Sequence, residues 1–110
     1  MITTKFYKDK KSRLVGFTFD GHAEFADPGE DVVCAAVSTV VYATENAIDK
    51  LTKVKYSCGF KDGYVDLRVD TKCLRGRHDV QLLLRMLELS IIDIKNKYGE
   101  DYITISYEEV

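Results

Sequence analysis

Residues 54–70 read VKYSCGFKDGYVDLRVD. Asp62-Gly63 falls between two runs rich in β-branched and aromatic residues, and Asp-Gly is a strong tight-turn signal. The reading is a hairpin, with strands over 54–60 and 64–70. In the second strand Val65, Leu67 and Val69 point one way, while Tyr64, Asp66, Arg68 and Asp70 point the other. A strand that alternates so cleanly is covered on one face only.

Upstream, Val33, Val37, Val40, Ile48 and Leu51 recur at helical spacing, predicting a helix over about 32–51 with Asp31 as its N-cap. Downstream, a polar connector over 72–78 leads to a second helix over about 79–98, stopped at Gly99. Its stripe is Val80, Leu83, Leu84, Leu87, Ile91 and Ile94, and Leu82, Met86 and Leu89 add a second apolar strip. A helix apolar on two sides is packed on two sides, within the domain or against a partner.

Further out, Ile2, Thr4 and Phe6 share one face of a strand over 2–7, and Val15, Phe17 and Phe19 one face of a strand over 14–20. A polar turn over 8–12 makes these a second hairpin. A last strand over 102–107 turns Ile103 and Ile105 inward. The order β-β-α-β-β-α-β predicts an α+β fold, with two helices packed on a mostly antiparallel sheet. With 110 residues, one proline and no low-complexity linker, 1–110 reads as a single domain.

Composition excludes several classes. Hydrophobic residues make up 45% and charged residues 31%, which is ordinary globular usage rather than a collagen, a coiled-coil rod or a disordered tail. No apolar run approaches the roughly 18 residues of a membrane helix. The opening MITTKFYKDKK has no apolar export core, so no export signal and no membrane association are expected. With 16 basic against 18 acidic residues and a net charge of −2, direct nucleic-acid binding is not expected either. Cys34, Cys58 and Cys73 are odd in number and lack CxxC spacing, so neither a disulfide framework nor a closed zinc site is expected. A cytoplasmic protein with reduced thiols and no metal or other cofactor is the expectation.

The stretch that carries chemistry is residues 21–38, GHAEFADPGEDVVCAAVS. If Asp31 caps the helix, Cys34 is at its third position, near unpaired backbone N–H groups that favour the thiolate. A lone helical cysteine reads equally well as core. His22 follows a strand and opens a connection over 21–30, roughly ten residues long and above the usual length. Cysteine and histidine are the minimum set for acyl transfer, the imidazole taking the thiol proton and returning it to the leaving amine. A solvated loop histidine is the bland alternative. Asp31 either caps the helix or orients His22. Ser38, one turn after Cys34, either hydrogen-bonds near the site or bonds back to a helix carbonyl. Ala23, Glu24, Phe25, Ala26, Asp27, Pro28, Gly29 and Glu30 form the expected substrate loop, a gate whose Phe25 covers a substrate side chain. His78 reads as a solvated helix start beside a small basic patch of Lys72, Arg75 and Arg77, Cys58 as packed in its strand, and Cys73 as exposed without a base beside it.

Gly21-His22-Ala23, then Asp31, Cys34-Ala35 and Ser38, resembles the pattern of the bacterial ribosomal-processing cysteine proteases called Prp. The length and element order agree, so the resemblance spans essentially the whole chain. It implies a cysteine endopeptidase that removes a short N-terminal extension from large-subunit ribosomal protein twenty-seven. It further implies Cys34 as nucleophile, His22 as base, a supporting set of Gly21, Asp31 and Ser38, and a homodimer, which would account for the two-sided second helix. The competing reading is a non-catalytic ribosome-associated binding module on the same fold.

Overall fold

The computed structural model describes residues 1–21, 28–70, 72 and 76–110. Five strands form one sheet: β1 (Ile2–Lys8), β2 (Leu14–Asp20), β3 (Tyr56–Lys61), β4 (Tyr64–Val69) and β5 (Ile103–Glu109). Two helices, α1 (Pro28–Leu51) and α2 (Arg77–Ile94), complete the order β-β-α-β-β-α-β, and a π-helical turn Lys95–Gly99 carries the winding of α2 to Gly99. The spatial strand order is β3-β4-β2-β1-β5. The pairs β1–β2, β2–β4 and β3–β4 are antiparallel and β1–β5 is parallel, so the expected α+β architecture holds.

Period-2 alternation sets the faces. Phe6 pairs with Phe17, and Phe17 with Leu67, and all three are fully buried toward the helices. From α1 come Val33, Val37, Val41 and Ile48, and from α2 Val80, Leu84, Leu87 and Ile91. Each such side chain contributes roughly 1.5–3 kcal/mol by leaving water. The outer face carries Asp66 and Arg68, as expected. Arg68 donates from Nε to Asp66 at 2.9 Å, and its guanidinium lies 3.6 Å from the centre of the Tyr7 ring, which leaves Tyr7 buried. The first turn is held by Asp9, whose carboxylate accepts the backbone N–H groups of Lys11 and Arg13. The tip of the second hairpin is the two-residue loop Asp62-Gly63, closed by the Lys61–Tyr64 pair, with Gly63 at φ 71°.

Several boundaries differ from the sequence reading. The start of α1 is Pro28, so Pro28, Gly29 and Glu30 belong to the helix and not to a loop, and Asp31 is an exposed residue of its fourth position rather than its N-cap. Proline suits a first helical position, where its fixed φ is already helical and its missing N–H would be unpaired anyway. Leu51, expected on the buried stripe, ends the helix 74% exposed, and Val41 and Thr44 are buried instead. Two residues earlier than expected, α2 begins after Gly76, whose φ of 81° takes the chain through a left-handed corner. Glu88 of α2 is buried: it accepts the Tyr107 hydroxyl at 2.5 Å and pairs with Arg85 Nε at 3.1 Å. Leu82, Met86 and Leu89 are exposed on α2. Among the described residues no helix is long and apolar enough to cross a membrane.

Candidate active site

The cleft that bears on function lies between α1 and the sheet. Its volume is about 140 Å³. From α1 it takes Cys34, Ser38 and Tyr42 on the rim, with Val37 and Val41 beneath. The opposite wall is the tip of the second hairpin, Lys61, Gly63 and Tyr64, and Gly21 closes it at the end of β2. Cys34, Ser38 and Tyr42 share a wall because residues four apart lie one turn above another on a helix. Cys34 is half-buried and packs against the core cluster, and Ser38 is exposed. Where Thr39 bonds back to the Ala35 carbonyl at 2.9 Å, the Ser38 side chain lines the cleft.

Gly21 has a physical reason to be glycine. A Cβ there would lie 2.8 Å from Ile2 Cα and 2.8 Å from the Met1 carbonyl oxygen. The end of β2 thus lies tight against the start of β1, and the Gly21 N–H donates to the Gly63 carbonyl at 2.9 Å. The residue before His22 is therefore pinned on the cleft that holds Cys34. His22 and residues 23–27 lie outside the described residues, as do Cys73 and Arg75.

Counting from Pro28, Cys34 is the seventh residue of α1, not the third. That places it about 9 Å along the axis from the first residue. The helix macrodipole acts within the first turn, so the expected activation by the helix end does not apply. Cys58 differs from Cys34 in lying on β3, half-buried against the core. Burial, with Glu45 and Asp66 nearby, pushes its thiol up to about 11, so it is neutral at physiological pH. His78 is a solvated helix-start residue facing Asp79 at 3.5 Å, as its sequence setting implies. Tyr42, Lys61 and Tyr64 were not singled out from the sequence. Tyr42 had a signal, since it stands eight residues after Cys34 on the same face.

The family profile described as cysteine protease Prp matches residues 1–104. The chain belongs to the Prp cysteine protease family. A ribosomal processing cysteine protease Prp of Staphylococcus aureus is 31% identical over 98% of this chain and 100% of its own. A crystal structure of an essential ribosomal processing protease Prp from S. aureus, in complex with a substrate peptide, superposes with a TM-score of 0.88 at 26% identity. It covers 98% of this chain and 100% of that one. A second S. aureus Prp structure holds a covalently linked product peptide, with a TM-score of 0.82, 29% identity and the same coverage. The fold and the family expected from the Gly-His-Ala and Cys-Ala motifs are thus both met.

Proposed function

We propose that this Prp-family protease removes the short N-terminal extension of large-subunit ribosomal protein twenty-seven, with Cys34 as nucleophile and His22 as base. The observation that carries the reading is the shared cleft. Gly21 and Cys34 line one wall-to-wall space, and His22 is the next residue after Gly21. The S. aureus Prp structures with a substrate peptide and with a covalently linked product peptide support the same chemistry in this chain.

In this mechanism the His22 imidazole takes the Cys34 thiol proton. The Sγ then attacks the scissile carbonyl carbon, and the C–N bond breaks as the imidazolium returns the proton to the leaving amine. Water, deprotonated by His22, cleaves the thioester, regenerating the thiol and releasing the extension with a new carboxyl end. Because Cys34 lies past the first turn of α1, its ionisation rests on His22 and not on the helix end. Ser38 faces the same space and supplies a hydroxyl to hydrogen-bond substrate. Asp31, exposed in the first turn, favours the positive helix end and is not assigned to orienting His22.

We place the enzyme in the cytoplasm as a homodimer joined through the exposed strip Leu82, Met86 and Leu89 of α2. Leu89→Arg should convert dimer to monomer in sedimentation analysis, and an unchanged dimer would move the interface elsewhere. The function itself is tested by incubating the purified chain with the host's extended ribosomal protein and weighing the fragments. A single N-terminal cut that Cys34→Ala does not make is the expected result. An intact substrate would favour a non-catalytic binding module.

A further inference from the structure

Beyond Ser38, the rim of α1 continues to an exposed pair of rings. Tyr42 and Phe60 stack with centroids 5.7 Å apart and planes 23° from parallel, and both are about half exposed. The pair belongs to a register between α1 and β3. Asp49 accepts the Tyr56 hydroxyl, Glu45 faces Cys58, and Tyr42 meets Phe60. Continued in the same direction, this register brings Ser38 and Cys34 opposite the hairpin tip at Lys61, Gly63 and Tyr64. The nucleophile and the ring pair therefore stand along one flank of one helix, with Tyr42 itself on the wall of the Cys34 cleft.

We propose that the Tyr42–Phe60 pair is a specificity subsite, receiving an apolar side chain of the substrate three or four residues from the scissile bond. This rests on the proteolytic reading above. The spacing follows from geometry. Tyr42 is eight residues from Cys34, about 12 Å along the helix. An extended peptide advances about 3.3 Å per residue, so 12 Å is between three and four residues. The chemistry follows from the rings. Both rings leave a flat apolar surface open to solvent beside the site. Aromatic rings of this kind supply large contact area at little cost in side-chain freedom. Between Cys34 and the pair the rim residue is polar Ser38, and beyond it stand Glu45 and Asp49. The pair is thus an exposed apolar station on this flank.

The test uses a fluorescein-labelled peptide of the first twenty or so residues of the host's extended ribosomal protein, with alanine placed at each position in turn. Wild type, Tyr42→Ala, Phe60→Ala and Tyr42→Phe are compared for kcat, KM and peptide anisotropy. Wild type should lose about tenfold in kcat/KM for one apolar position three or four residues from the cut. Phe60→Ala and Tyr42→Ala should show that loss on the parent peptide, chiefly in KM, and no further loss on the alanine peptide. Tyr42→Phe should retain the wild-type profile. Phe60 is at an exposed sheet edge, so Phe60→Ala serves if Tyr42→Ala does not fold. Variants that keep the full wild-type alanine profile overturn the subsite and leave the protease reading standing. Binding that depends on the pair without cleavage does the reverse, and neither binding nor cleavage overturns both.

Discussion

The Gly21 N–H donates to the Gly63 carbonyl at 2.9 Å, tying the end of β2 to the tip of the β3–β4 hairpin. One hydrogen bond thereby joins two walls of the cleft that Cys34 lines. It does so where the end of β2 lies against the start of β1 too closely for any side chain. Gly21, the residue before the proposed base, is therefore held at a fixed point beside the cleft.

Gly21→Ala should act on both stability and rate. Its Cβ would meet Ile2 and Met1 backbone at 2.8 Å, closer than real contacts allow, so one strand must move. Overpacking of this kind costs about 1–3 kcal/mol. Urea unfolding should show that loss, and kcat/KM should fall by more than stability alone explains because Gly21 lines the cleft and directly precedes the proposed base. Wild-type stability and rate in Gly21→Ala would show that this close approach is not constrained.

The cysteines should separate by chemistry. Cys58 is held up to about 11 by burial and by Glu45 and Asp66, so it stays neutral at pH 7. Iodoacetamide at pH 7 should label Cys34 and leave Cys58 unlabelled until the pH approaches its raised value. Cys34→Ala should abolish cleavage with the fold intact, and Cys58→Ala should remain active. Faster labelling of Cys58 than of Cys34, read by mass spectrometry of the peptides, would reverse the assignment.

The fold was legible because its signals are local. Alternation in 64–69, Asp-Gly at 62–63 and helical spacing in 80–91 each act within a few residues of themselves. The parallel pairing of β1 with β5 is set by contacts a hundred residues apart, such as Ile2 with Ile103, and no local pattern encodes it. The start of α1 was misread because Pro28-Gly29 resembles loop punctuation, although proline is also well suited to open a helix. That shift of a few residues removed the helix-end argument for Cys34 while leaving Cys34, Ser38 and Gly21 on one cleft. Tyr42–Phe60 and Glu88–Tyr107 escaped notice for a common reason. Each joins a helix to a strand, and their meeting depends on how the layers register.

With no helix end to ionise Cys34, the proposed mechanism rests its activation on His22. His22→Ala should lower the chemical step by about 100-fold or more. The same variant should shift the pH dependence of Cys34 alkylation upward, toward that of an ordinary thiol. In wild type the rate should rise and then fall with pH, with apparent values belonging to the Cys34–His22 pair and not to either group. An unchanged alkylation profile in His22→Ala would place the base elsewhere.

Tyr107 gives a test of the fold independent of catalysis. Burial first, and then its hydrogen bond to Glu88, push the Tyr107 hydroxyl up to about 12 from its usual 10. The folded chain thus holds the proton more tightly than the unfolded one. The resulting stabilisation is complete below pH 10 and is lost as pH rises through about 12. Tyr107→Phe keeps the ring, which stacks on Phe6 with centroids 5.9 Å apart, and removes only the hydroxyl. Glu88 would remain buried with Arg85 as its partner. A hydrogen bond to a charged acceptor is worth about 1.5–3 kcal/mol, and solvent at the 45% exposed Tyr107 lowers that toward about 1 kcal/mol. Urea unfolding should therefore find Tyr107→Phe weaker than wild type by about 1 kcal/mol. That gap should be constant from pH 7 to about 9 and close between pH 10 and 12. A gap that persists undiminished at pH 12 would mean that folding does not raise the Tyr107 hydroxyl.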